Sequence, residues 1–212
     1  MKMRDELETI FRSDRTLREA ETRLLAHDDA EALSDLLAAA VDEALKLGDR
    51  REAAMRLERL SDLCAQVPGP RMADALVAIL DDDDPAVRVA AGEALLDVGF
   101  ERYAEVARAV ERALDRTTPG LALAELPWIL SEIGEPSAMR LLERFLASES
   151  SDAVASAIEA LTSLGDPAAI PLLAPLCKDQ RKVSIEEGDE HVTATVGELA
   201  SEAIEELGGP DE

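Results

Sequence analysis

The chain has 212 residues, of which 47% are hydrophobic, 32% charged and 2% aromatic, and its 22 basic and 46 acidic side chains leave a formal charge of −24. Nucleic-acid affinity comes from Lys and Arg neutralising phosphates, so a field of this sign excludes a polyphosphate partner. No stretch approaches the ~20 apolar residues of a membrane span, and Met1 to Asp28 is too charged to hold a signal-peptide core, so no membrane insertion and a cytoplasmic location are expected.

In chain order, Glu6 to Phe11 and Thr16 to Ala26 read as two capping helices within an N-terminal segment 1–29. Ala30 to Leu47 and Arg51 to Val67 read as a helix pair closed by Pro68-Gly69-Pro70. Amphipathic runs follow at Met72 to Leu80, Tyr103 to Leu114, Ala138 to Leu146 and Ile170 to Cys177. Each is followed by a turn segment (Asp81 to Pro85, Asp115 to Gly120, Ser148 to Asp152, Lys178 to Thr195) and then by a second helix. The apolar share is mostly Ala and Leu, with few β-branched and aromatic residues, which favours helices over strands. The expected fold is all-α, with about five helix pairs over 30–208 and a disordered tail at 209–212.

The second helices end in a recurring pattern: Ala94-Leu95-Leu96-Asp97-Val98-Gly99, Ile129-Leu130-Ser131-Glu132-Ile133-Gly134, Ala160-Leu161-Thr162-Ser163-Leu164-Gly165 and Ala203-Ile204-Glu205-Glu206-Leu207-Gly208. The first, second and fifth residues share one helix face, and the glycine is expected to end the helix in a left-handed turn. The glycines are spaced by 35, 31 and 43 residues. Such periods mark stacked supersecondary units, and the last interval predicts an insertion of about ten residues.

Asp84-Pro85-Ala86-Val87-Arg88 with Ala90, Ala91, Ala94, Leu95 and Gly99, together with Gly165-Asp166-Pro167-Ala168-Ala169-Ile170-Pro171-Leu172-Leu173, resembles the HEAT-repeat family, in particular its short bacterial, PBS-lyase-like type. The resemblance covers 70–208 well and 30–67 loosely. It implies an α-α superhelix, a right-handed solenoid with the second helices on its concave side, and a scaffold or adaptor role without catalysis. Its competing implication is a HEAT-like lyase or a protein that handles a chromophore or other ligand. DNA-handling HEAT proteins are a third implication, opposed by the net charge.

The insertion, 182–194, changes period. Val183 and Ile185 alternate toward Glu186-Glu187-Gly188-Asp189-Glu190, and Val192 with Thr193-Ala194-Thr195 follows, which predicts a small β-hairpin. Thr195 and Glu198 then form a capping box for the last helix. An isolated hairpin is marginal in water, so this one must lean on the solenoid or on a partner, as an end cap or as a contact edge.

No residues are assigned to catalysis, a cofactor or a metal. Asp81-Asp82-Asp83-Asp84-Pro85 lacks the glycine and distal glutamate of a calcium loop and reads as a helix start, with Asp84 as N-cap and Pro85 first in the helix. His27 and His191 stand apart, and Cys64 and Cys177 read as isolated, buried small hydrophobes. The chain's acidity serves solubility or draws a basic patch on a partner protein. It is uneven: residues 1–25 hold six basic and six acidic groups, so the −24 belongs to the rest. The mixed-charge N-terminal helical face is either solvated or a docking element.

Overlaying the second helices sets Trp128 on Glu93, Leu123 on Arg88 and Pro127 on Gly92. If these helices line a concave surface, Arg88, Leu123, Pro127, Trp128, Val154 and Ile158 form an apolar strip bordered by charge, and exposed Trp and Arg often dominate binding. Alternatively, Pro127 shifts its helix and Trp128 is core.

Overall fold

The computed structural model describes residues 2–116, 120–187 and 190–208, with backbone only for 185–187 and 190–192. The expected tail at 209–212 and the tip of the hairpin lie outside these residues. The helices are α1 (Lys2–Leu25), α2 (Ala30–Leu45), α3 (Arg50–Gln66), α4 (Pro70–Ile79), α5 (Pro85–Leu114), α6 (Ala122–Ile133), α7 (Ala138–Leu146), α8 (Ser151–Ser163), α9 (Ile170–Leu173) and α10 (Val196–Leu207). A two-stranded antiparallel hairpin, β1 (Lys182–Glu187) and β2 (Glu190–Thr195), pairs Val183 with Ala194 and precedes α10. The chain is an all-α solenoid carrying one small hairpin near its C-terminus.

Two layers are stacked. The second helices α3, the first half of α5, α6, α8 and α10 pack side by side, and α2, α4, the second half of α5 and α7 form the other layer. One continuous core runs between them from Leu33 to Ala203, with Leu57, Leu76, Leu95, Leu126, Leu142, Phe145 and Leu161 fully buried. Side-chain caps start many helices: Asp29, Asp49, Asp84 and Ser150 each accept a backbone N–H at their helix N-termini. The acidic run is thus a helix start at Asp84-Pro85, as its sequence predicts.

The capping box at α10 is complete. Thr195 N–H donates to Glu198 Oε2 at 2.7 Å and Glu198 N–H donates to Thr195 Oγ1 at 3.2 Å. These bonds from the Thr195 backbone and hydroxyl hold the Glu198 carboxyl below its usual range. The hairpin leans on the solenoid at its root. Val183 is buried, β1 packs against α8, and Arg181 donates to the Ser148 carbonyl at 2.7 Å while gripping Asp179 at 2.6 Å.

Several expectations are corrected. The two N-terminal capping helices are one helix, α1, because Ser13, Asp14 and Arg15 carry no breaker between them. The helix expected to end at Gly99 and the one expected from Tyr103 are both present as the two halves of α5, joined without a loop across a kink at Arg102, where φ −139° and ψ 48° are non-helical. Left-handed turns close the helices at Gly134 and Gly165, with φ 68° and 66°, but not at Gly99 or Gly208. Gly99 answers a packing need instead: a Cβ there would lie 2.3 Å from Ile133 Cδ1, so the glycine admits the end of α6. The helix expected from Ile170 to Cys177 divides into the single turn α9 and a 3-10 turn at Ala174–Lys178, and another 3-10 turn, Pro167–Ala169, precedes it. Pro171 and Pro175 remove the amides that a continuous helix would use.

The cysteines also differ from each other. Cys64 is fully buried and its thiol is pushed up to about 12 by that burial, whereas Cys177, expected inside, is exposed at the end of the irregular segment. Thiol titration with a disulfide reagent should therefore find one reactive group in the native protein and two after denaturation. Because Cys64 stays protonated in the fold above the pH at which the unfolded thiol ionises, its contribution to stability is present below pH 9.0 and declines as pH rises toward 12.

Candidate interaction groove on the second-helix face

The structure separates the six residues of the expected strip. Leu123 and Pro127 are buried in α6, and Val154 and Ile158 are buried in α8, all within the core between layers. With these four buried, the strip does not exist as an exposed surface, although Ile158 reaches the edge of a groove between α8, α10 and β1. Pro127 sits inside α6 without ending it, and Trp128, one residue on, is turned outward with 52% of its surface exposed.

Arg88 is occupied. Its guanidinium donates to Glu125 Oε1 at 3.2 Å and to the carbonyls of Asp82 and Asp83 at 3.1 Å each, tying the turn before α5 to α6. It forms a wall of the site with little reach left for a ligand.

Arg88 and Trp128 border a groove of about 230 Å³ between α5 and α6. Leu80 and Ile129 floor it, Val89 (61% exposed) stands on one wall and Trp128 on the other, and Glu93 and Glu125 flank the mouth. Gly92 keeps it open: a Cβ there would only touch Ile129 Cδ1 at 3.9 Å and Leu80 Cδ1 at 4.0 Å. The overlay of the second helices indicates Trp128 from sequence, but it misses Val89 and the glycine floor. Their positions depend on how α5 and α6 cross.

A row of equivalent positions crosses this face. Glu93, Trp128, Glu159 and Glu202 each precede the first residue of their repeat pattern, and all four are exposed. Among the described residues Glu93, Glu159 and Glu202 make no ion pair. Glu159 and Glu202 face each other across a second groove, of about 570 Å³, between α8, α10 and β1, where Asp152 and Glu206 add two more carboxylates.

The opposite layer carries a ladder of ion pairs. Asp35 pairs with Arg71, Asp74 with Arg112 at 2.8 Å, Asp81 with Arg116 at 3.2 Å and Asp115 with Arg144 at 2.7 Å, each linking neighbouring units. On the second-helix face α3 carries four arginines of its own, Arg50, Arg51, Arg56 and Arg59, whereas α6, α8 and α10 carry acidic side chains and no basic one. Among the described residues no group of three or more His, Cys, Asp or Glu side chains could hold a metal ion, and no helix is long and apolar enough to cross a membrane.

Residues 112–186 match the family model of HEAT repeats. No match was found among the curated proteins. Among solved structures, that of an engineered protein aligns at 17% identity and a TM-score of 0.39, covering 90% of this chain and 96% of its own. A computationally designed armadillo repeat protein for modular peptide recognition aligns at 15% identity and a TM-score of 0.37, covering 91% and 93%. A designed armadillo repeat protein in complex with the peptide (KR)4 aligns at 15% identity and a TM-score of 0.37, covering 89% and 98%. At these scores nothing about partners carries over to this chain.

Proposed function

We propose that this HEAT-repeat solenoid is a non-catalytic interaction scaffold whose second-helix face, the concave one in the family it resembles, receives an extended basic segment of a partner protein. The observation that carries this reading is the groove between Val89 and Trp128, an exposed aromatic wall set in a row of unpaired carboxylates. Aromatic anchors in such settings dominate binding energy, and the acidic field sets the sign of the partner and speeds its encounter.

Spacing specifies the partner further. Packed helices lie about 8–10 Å apart, and a polyproline-II chain has three residues per turn and advances about 3.1 Å per residue, so neighbouring second helices are matched by every third residue of a segment extended in that form. The expected ligand therefore carries an apolar side chain for the Trp128 groove, with Lys or Arg three residues before it and three and six residues after it.

Trp128 is the only tryptophan in the chain, so its emission reports the groove directly. A synthetic extended peptide of that pattern should shift the emission to shorter wavelength and saturate, while a peptide with Glu at the basic positions should leave it unchanged. Emission indifferent to both would refute the reading.

Gly92 supplies a second check. Ala at this helical position removes backbone freedom without a steric clash, so Gly92→Ala should raise stability by about 0.5–1 kcal/mol. The added methyl fills part of the groove floor, so peptide affinity should fall severalfold in a protein that is more stable. Loss of binding through misfolding would have the opposite effect on the melting temperature.

A further inference from the structure

Helix α1 carries an apolar stripe that the solenoid leaves uncovered from Met3 to Leu17, while Leu24 packs against the core. None of its residues is buried, and Met3, Leu7, Ile10, Phe11 and Leu17 are 37–84% exposed. Met3, Leu7, Ile10, Leu17 and Leu24 fall on alternating steps of four and three residues, the seam of a helix pair, with Asp14 and Glu21 at the two remaining seam positions. Both acids have counterions within the chain: Asp14 pairs with Arg18 at 2.9 Å, and Glu21 with Arg59 of α3 at 3.1 Å.

The stripe continues into a groove. Between the C-terminal half of α1 and the α2–α3 pair lies a cavity of about 530 Å³ lined by Leu17, Met55, Leu60 and Leu63, with Glu43 and Glu58 among its lining residues. Arg56 and Arg59, also at this groove, are taken by Glu52, Glu21 and Asp62, and among the described residues Glu43 and Glu58 make no ion pair.

We propose that α1 pairs antiparallel with α1 of a second copy of this chain, each helix laying its N-terminal turn on the partner copy's groove between α1 and α3. Three observations select a second copy. Two molecules of charge −24 repel one another wherever the acidic surface meets, and α1, with six basic and six acidic groups, has no net charge to oppose self-contact. Lys2 and Arg4 flank Met3 and match the unpaired Glu43 and Glu58 beside the groove. Stripe and groove lie on the same molecule, so one two-fold axis satisfies both copies and closes the assembly.

The antiparallel sense follows from the same charge. A parallel pair would bring both acidic solenoids to one end of the helices, whereas an antiparallel pair sets them at opposite ends of rods about 36 Å long. With Leu7 of one copy against Leu17 of the other, Met3 reaches about 6 Å further, toward Met55.

Sedimentation of the full chain at concentrations up to about 100 μM should give the mass of two chains. The double substitution Leu7→Glu and Ile10→Glu should raise the dissociation constant at least about a hundredfold by placing charges in the seam, with unchanged unfolding because Leu7 and Ile10 are 48% and 62% exposed in the monomer. In a Cys177→Ser background, Met3→Cys with Met55→Cys should be joined between chains by a short bismaleimide, and peptide mapping should find residue 3 linked to residue 55. A monomer at all concentrations, a dimer that survives the double substitution, or a residue 3 to residue 3 link would each overturn the proposal.

Discussion

Trp128→Ala is expected to weaken binding of the basic, apolar-anchored peptide at least about thirtyfold, the equivalent of about 2 kcal/mol. The indole is half exposed, so its loss leaves the core between the layers intact, and the change in folding stability should stay within about 1 kcal/mol. The variant contains no tryptophan, so calorimetry makes the comparison. Salt separates the two parts of the site. Raising ionic strength screens Glu93, Glu159 and Glu202 and should lower the affinity of both proteins. The ratio between wild type and Trp128→Ala should hold, because the apolar anchor is not screened. Equal affinity in both proteins would place the peptide elsewhere on the acidic surface and remove Trp128 from the function.

The residues that build this groove show what a single sequence reveals. The repeat register was readable because the apolar pattern before Gly99, Gly134, Gly165 and Gly208 is local, and a period of one helix face is fixed within six residues. It put Trp128 at the position of Glu93, off the apolar face, and the structure exposes it. The strip failed for the opposite reason. Leu123, Pro127, Val154 and Ile158 lie at the edge of the apolar arc, and whether an edge position faces solvent depends on how closely the neighbouring helix packs. Gly99 obeys the same rule: its role is decided by Ile133, more than thirty positions away, and not by the end of its own helix. Prolines tell locally, but their effects combine: Pro171 is compatible with a HEAT first helix, whereas Pro171 and Pro175 together leave one α-helical turn followed by a 3-10 turn.

The acidic run Asp81 to Asp84 makes the same division sharper. Asp84 was legible as an N-cap because its partner, the Ala86 amide, is two residues away. Asp81 and Asp82 work across the stack. Asp81 accepts the Ala122 N–H at 2.8 Å and pairs with Arg116, so the turn before α6 is held from the preceding unit. A Cβ on Gly120 would fall 2.1 Å from that carboxylate, which explains why the turn carries a glycine there. The residues between neighbouring units are the ones the sequence pattern does not register, and they join one helix pair to the next.

Asp82 turns this into an expected result. Its side chain is 4% exposed, and its Oδ1 takes Arg50 Nη2 at 2.6 Å and the Asp84 amide at 2.9 Å, between aspartates on either side. Arg50→Met should cost about 2–3 kcal/mol by urea unfolding, well above the 0.2–1 kcal/mol of an exposed pair, although Arg50 itself is 52% exposed. The asymmetry is the reason. Losing the arginine releases a group that water already solvates, but it strands a desolvated carboxylate with one backbone donor and like charges beside it. Asp82→Asn in the Arg50→Met background removes that charge and keeps an acceptor for the Asp84 amide, so the double variant should be more stable than Arg50→Met alone. A cost below about 0.5 kcal/mol for Arg50→Met would mean that the pair is no stronger than a surface contact. The units would then be held together by their apolar faces alone.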